Sequence, residues 1–176
     1  DALPIYFFHM ATALLWWHFI VPDVETMKVL SWGWAAYLLC VNWLAAALFY
    51  GFFEWRYYVR RVQGQQFKFH HKFPADQPSD VFWFKSQNID NILRSVLVSI
   101  PLWTLVQVIF LWCFATGAVP WLRWADHPLY LALLVLAAPA IHEVHFFVIH
   151  RAIHTSWLYK WVHSIHHNSV NPSPWS

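Results

Sequence analysis

Charge is scarce in this sequence. Asp, Glu, Lys and Arg together make 11% of its 176 residues, where a soluble domain carries about a quarter. A chain so depleted cannot cover a globule with polar surface, and the expectation moves to a membrane protein. Glycine is nearly missing, at four residues. No Gly-rich phosphate loop and no Gly-x-Ser-x-Gly nucleophile turn is present. The two cysteines, Cys40 and Cys113, both lie in apolar runs. They read as small buried hydrophobes, which argues against a disulfide framework or a cysteine-based zinc site. The net charge of +2 gives no reason to expect nucleic acid as a partner. No internal repeat stands out, and no basic leader of a signal peptide precedes the first apolar run.

What the chain has in quantity is hydrocarbon: 59% of residues are hydrophobic, with 14 Trp and 15 Phe. A membrane helix needs about 20 mostly apolar residues, and four stretches qualify. They are Ala2 to Pro22, Val29 to Phe53, Ser95 to Leu122, and about Pro128 to Ile149, whose one formally charged residue is Glu143. The expected fold is all-α and polytopic, with about four transmembrane helices and a histidine-rich helical segment after them. Residues 1–149 form the transmembrane region, with a loop at 54–94, and 150–176 begin a catalytic region.

Four spans place 54–94 and 150–176 on one side. Nine of the eleven basic residues fall there: Arg56, Arg60, Arg61, Lys68, Lys72, Lys85, Arg94, Arg151 and Lys160. The positive-inside rule makes that side cytoplasmic. The loop also interleaves its basic residues with aromatics, a pattern suited to an anionic lipid surface or simply to the charge rule.

The stretch HRAIHTSWLYKWVHSIHH, residues 150–167, holds five histidines. His150 and His154 are four apart, and His163, His166 and His167 stand at i, i+3 and i+4, so each set shares a helical face. Thr155 and Ser156 are good N-caps. A helix should therefore end near His154 and a second begin near Trp157, bringing two imidazole clusters together. Five imidazoles at one locus read as a metal site, and imidazole suits iron, zinc, copper and nickel. Five exceed the needs of one tetrahedral zinc. The excess points to two metals, or to one metal with further histidines holding the ligands in place.

Glu143 lies seven residues before His150, on nearly the same stripe. An acid that deep in an apolar helix is a functional candidate. It could ligate metal, orient the His150 or His154 ring, or pair with a neighbouring histidine. His142 and His145 should lie off that stripe. His9, His18, His70, His71 and His127 carry weaker signals.

The stretch from Glu143 to Ser176 resembles the fatty acid hydroxylase/sterol desaturase superfamily of membrane non-haem diiron enzymes. His150, Arg151 and His154 match its first histidine box. Leu158, Tyr159 and Lys160 match the segment that follows, and His163, His166 and His167 match its His-x2-His-His box. Asn171, Pro172, Pro174 and Trp175 resemble the next segment, and the family often has Asp where Glu143 stands. The match covers about 34 residues. The family carries further histidines beyond this point, so the resemblance implies that only part of the ligand set lies within these residues and that the remainder is missing.

The resemblance implies two iron ions, with O2 as co-substrate and electrons from a reductase, ferredoxin or cytochrome. The product would be a lipid hydroxylated or desaturated at one C–H position, from a sterol, a fatty acid or another lipid. Two other readings stand beside it. One is an accessory subunit of a larger membrane assembly with a vestigial metal site, its Trp and Phe surfaces meeting partners, lipids or pigments. The other is a haem-binding bundle with paired axial histidines.

Overall fold

The computed structural model describes residues 3–74 and 78–176. Asp1 and Ala2, at the start of the first expected span, and residues 75–77, in the polar loop, lie outside the described residues. Among the described residues every regular element is helical.

The first apolar run forms α1, Leu3–Phe19, of 17 residues. At 1.5 Å per residue it is about 26 Å long, the short limit for crossing a hydrocarbon core of about 30 Å. A single turn, α2 (Val24–Met27), follows, capped by Asp23, whose carboxylate accepts from the Thr26 amide at 2.9 Å and the Thr26 hydroxyl at 2.7 Å. Three helices, rather than the expected four, are long and apolar enough to cross a membrane among the described residues. They are α3 (Trp32–Val59), α4 (Gln87–Ala115) and α5 (Pro128–Ile153). A short helix, α6 (residues 156–167), carries the second histidine set.

Both α3 and α4 run past the apolar stretch that marks them in the sequence. α3 is α-helical to Phe53 and continues in π geometry over Glu54–Val59. α4 begins eight residues before the expected Ser95, because Ser86 caps a polar turn by accepting from the Ile89 amide. It passes through π geometry at Ser95–Ser99 and ends at Ala115, short of the expected Leu122. Gly117, at φ 79°, takes the left-handed conformation that closes helices of this kind. Single π turns inside helices occur often at functional sites, and a third, Tyr159–His163, carries His163 itself.

The described core is small: Trp34, Leu38 and Val108 bury where α3 meets α4, with Met27 of α2 fully enclosed. Polar side chains stitch the same pair. Asn42 Nδ2 donates to Thr104 Oγ1 and to Gln107 Oε1, both at 2.8 Å, and Trp43 Nε1 donates to the Val96 carbonyl at 2.9 Å. Most other apolar side chains of the long helices face outward, and α5 buries none of its side chains. Lipid can solvate such a surface while each helix satisfies its own backbone. The same inversion corrects the cysteines. Cys40 is exposed and Cys113 only half-buried, since an apolar run on a helix whose outer faces stay uncovered has little protein core to enter.

Residues 168–176 are not a free tail. They strap the histidine helix to α3 and α4. Tyr58 donates its hydroxyl to the Pro172 carbonyl at 2.9 Å, Gln87 Nε2 to the Asn171 carbonyl at 2.6 Å, and Ser95 Oγ to the Trp175 carbonyl at 3.1 Å. Ser169 Oγ and Ser176 Oγ both bond the Asn91 side chain, at 2.7 and 2.9 Å. Trp175 is nearly buried, its ring 5.4 Å from that of Tyr50. The 54–94 and 150–176 segments therefore lie side by side at one end of the helices.

Candidate metal centre

The chain breaks between α5 and α6 where Thr155 leaves the helix at φ −65°, ψ 146°. The Tyr159 amide then bonds the Thr155 carbonyl at 2.7 Å and starts the next helix. The turn returns α6 across the end of α5. His150 and His154 occupy the last turn of α5 and its C-cap, and His163 faces them from the π segment of α6.

One ring nitrogen from each of His150, His154 and His163 lies within 4.8 Å of the other two. The Nε2 atoms of His150 and His154 are 3.1 Å apart. Ring centroids of His163 and His154 stand 4.5 Å apart, and those of His163 and His150 4.9 Å. His167 joins on the other side, 4.5 Å from His163 and 5.3 Å from His154. His166 stacks on His163 at 5.5 Å but turns toward the groove between α3 and α4, where it lines a cavity with Trp175.

A metal cation fits this cluster on two grounds. His163 is 6% exposed, and its Nε2 is buried without a hydrogen-bond partner. A buried polar nitrogen left unsatisfied is costly, and such an atom calls for an explanation. Protonation is also disfavoured: desolvation first, then the neighbouring imidazoles, hold His154 and His163 below the ordinary histidine range. Neutral imidazole is the form that ligates metal.

The remaining histidines and Glu143 stand apart from the three convergent nitrogens. The Glu143 carboxylate meets His142 Nδ1 at 3.3 Å on an exposed face of α5. The Phe146 ring stacks on His142 at 6.3 Å and on His150 at 5.2 Å, so His142 reaches the cluster through Phe146. His70 stacks edge-on with Phe69 in the loop, and on α1 His9 and His18 pair edge-on with Phe8 and Phe19. Arg151 is exposed in the last turn of α5, where a cation complements the helix dipole.

Two site residues escaped the histidine count. Tyr159 places its ring 5.8 Å from His154 and 5.7 Å from His167. Phe146 stacks on His150 at 5.2 Å. Both stand four residues before a histidine, Tyr159 before His163 and Phe146 before His150, so i, i+4 spacing was the available signal.

Comparison with known proteins adds one local likeness. Over 81 residues, 46% of this chain, the sequence is 33% identical to very-long-chain aldehyde decarbonylase GL1-11 of Oryza sativa, in both subspecies indica and japonica. The aligned stretch covers 29% of each relative, so the chain spans under a third of the length of the curated proteins it matches. No family model and no solved structure matches the chain.

Proposed function

We propose that this chain supplies membrane helices and the first histidine ligands to an enzyme that oxidises a lipid at a C–H position. The observation that carries the reading is the convergence of His150, His154 and His163 from two helices, with His163 Nε2 buried and unpartnered. The resemblance of the histidine boxes to the fatty acid hydroxylase/sterol desaturase superfamily supports it, and the local likeness to an aldehyde decarbonylase fits a lipid-modifying enzyme.

His150, His154 and His163 would hold iron, with His167 and His166 next in reach. Glu143 is a candidate ligand or a group that orients the rings. Iron bound there supplies the electron-transfer chemistry with O2 that oxidation of an unactivated C–H bond requires.

The chain's own residues do the positioning. Phe146 and Tyr159 pack against the imidazoles and fix their planes, as the partners of ligating histidines must. The cavity beside His166, about 740 Å³, runs between α3 and α4 and is lined by Phe49, Tyr50, Trp103 and Trp175 among others. An apolar substrate held there would present one end toward His166, the edge of the histidine cluster, and selectivity among C–H bonds would follow from that placement. The 54–94 and 150–176 segments would face the cytoplasm, where a reductase, ferredoxin or cytochrome delivers electrons.

Metal analysis with an optical spectrum tests the reading. The full-length protein should contain iron and show no Soret band, and His163→Ala should lose the iron. A haem spectrum, or iron retained after His163→Ala, overturns it.

A further inference from the structure

The cavity between α3 and α4 is apolar along most of its wall, yet Asn42 stands at the end remote from His166. Asn42 lies near the middle of Trp32–Phe53, at the depth of Trp103 and Thr104 on α4. Its amide orientation is fixed by its neighbours. Thr104 donates its hydroxyl proton to the Ile100 carbonyl at 2.8 Å, so toward Asn42 it can only accept. The amide nitrogen of Asn42 must therefore face it, and the second N–H goes to Gln107 Oε1. Both donors are committed, and the hydrogen-bonding atom that Asn42 has left is Oδ1, an acceptor. Ser99 lines the same cavity one turn before Trp103.

We propose that Asn42 anchors a lipid that carries a hydroxyl group on the end remote from the carbon presented to the histidines. The proposal rests on the oxidation reading for which end reacts, but the anchor itself is a binding claim. A hydroxyl entering the middle of an apolar helix pair loses its water and needs a partner, and Asn42 Oδ1 offers one. An alkane or an ether of the same shape brings no donor and leaves that acceptor unpaired. The cavity thus selects a hydroxylated lipid over its unfunctionalised counterpart, and Asn42 is the residue that determines it. The top of the cavity, closed by Tyr50, Trp175 and His166, then receives the other end of the ligand.

The test uses the full-length protein in lipid nanodiscs. A long-chain primary alcohol with a diazirine beside its hydroxyl carbon is photolysed in place, and labelled peptides are identified by mass spectrometry. Label is expected on the peptides holding Asn42 and Trp103, and the methyl ether of the same probe should label them about tenfold less, as the loss of one hydrogen bond predicts. Unlabelled straight-chain and fused-ring alcohols compete in parallel arms and show which hydrocarbon shape fits; competition by neither overturns the proposal. Equal labelling by alcohol and ether, or label concentrated at Tyr50 and Trp175, also overturns it. Asn42→Leu should abolish the preference for the alcohol, and the probe pair on the unmodified protein keeps the test sound if that variant misfolds. Iron is measured on the same sample. A retained alcohol preference without iron sinks the oxidation reading alone, and iron without the preference sinks the anchor alone.

Discussion

The Nε2 atoms of His150 and His154 lie 3.1 Å apart, a ring nitrogen of His163 lies within 4.8 Å of one on each, and His163 Nε2 is buried without a partner. At most one proton can sit between the first two nitrogens, and the third has no donor or acceptor at all. A cation in the middle satisfies all three lone pairs together. Replacing any one of the three by Ala should therefore lower metal content at least about tenfold. His145→Ala and His70→Ala, outside the cluster, should leave it unchanged. Inductively coupled plasma analysis of the purified variants checks this, and loss of metal on His70→Ala would speak for a different site.

The same crowding sets a pH dependence. His154 and His163 are held below the histidine value of 6.5 by desolvation and by the imidazoles around them. In the unfolded chain both protonate near 6.5, so below that pH the unfolded state binds more protons than the folded one. Stability of the metal-free protein should be intact above about pH 7 and fall as pH drops through 6.5 toward the lowered folded values. Bound metal keeps protons off the folded imidazoles to lower pH, so it should raise stability at pH 8, steepen the fall and carry it further into acid. Thermal melts in detergent from pH 8 to pH 5, with and without added ferrous ion, read both effects. A metal-free protein that melts higher at pH 5 than at pH 8 contradicts the sign.

How much of this was open to a reader of the sequence depends on the length scale of each feature. The histidine convergence was legible because i, i+3 and i+4 spacing fixes a helix face, and because Thr155 and Ser156 mark a break. Helix ends were less so. Hydrophobicity reports the part of a helix that meets lipid, and the Gln87–Arg94 turn of α4 is polar. Gly117 stopped the same helix inside an apolar run. The π turns leave no compositional trace. The Pro-rich NPSPWS stretch carries no helix or span signal, and its bonds to Tyr58, Gln87, Asn91 and Ser95 come from residues about 80 to 115 positions away, beyond any local pattern.

That strap yields a third prediction. Trp175 is 9% exposed and packs on Tyr50 while its carbonyl receives the Ser95 hydroxyl. Trp175→Ala should cost about 3–5 kcal/mol, as truncation of a buried large aromatic does. Tyr58→Phe removes only the hydroxyl donated to Pro172 and should cost about 0.5–1.5 kcal/mol. Limited proteolysis after residue 167 reports the release of the strap. Equal protection in wild type and Trp175→Ala would show that the strap is held by other contacts.

Glu54 and Asn88 give the sharpest stability test. Asn88 Nδ2 donates to Glu54 Oε1 at 2.8 Å, joining α3 to α4. On the other side of the pair, Glu54 Oε2 and Asn88 Oδ1 are both buried and both lack a partner. Two acceptors sit in one acid–amide pair that is a single donor short. Glu54→Gln supplies that donor in nearly the same volume, completing a reciprocal amide–amide pair. It should raise stability by about 1–2 kcal/mol, the cost lifted when a buried acceptor is satisfied. Glu54→Ala removes the acceptor of Asn88 Nδ2 as well, leaving the whole amide unpaired, and should lower stability by about 1–3 kcal/mol. The opposite order of melting temperatures, with Gln below Glu, would mean that a donor already bridges the two oxygens and that the carboxylate is the better partner for it.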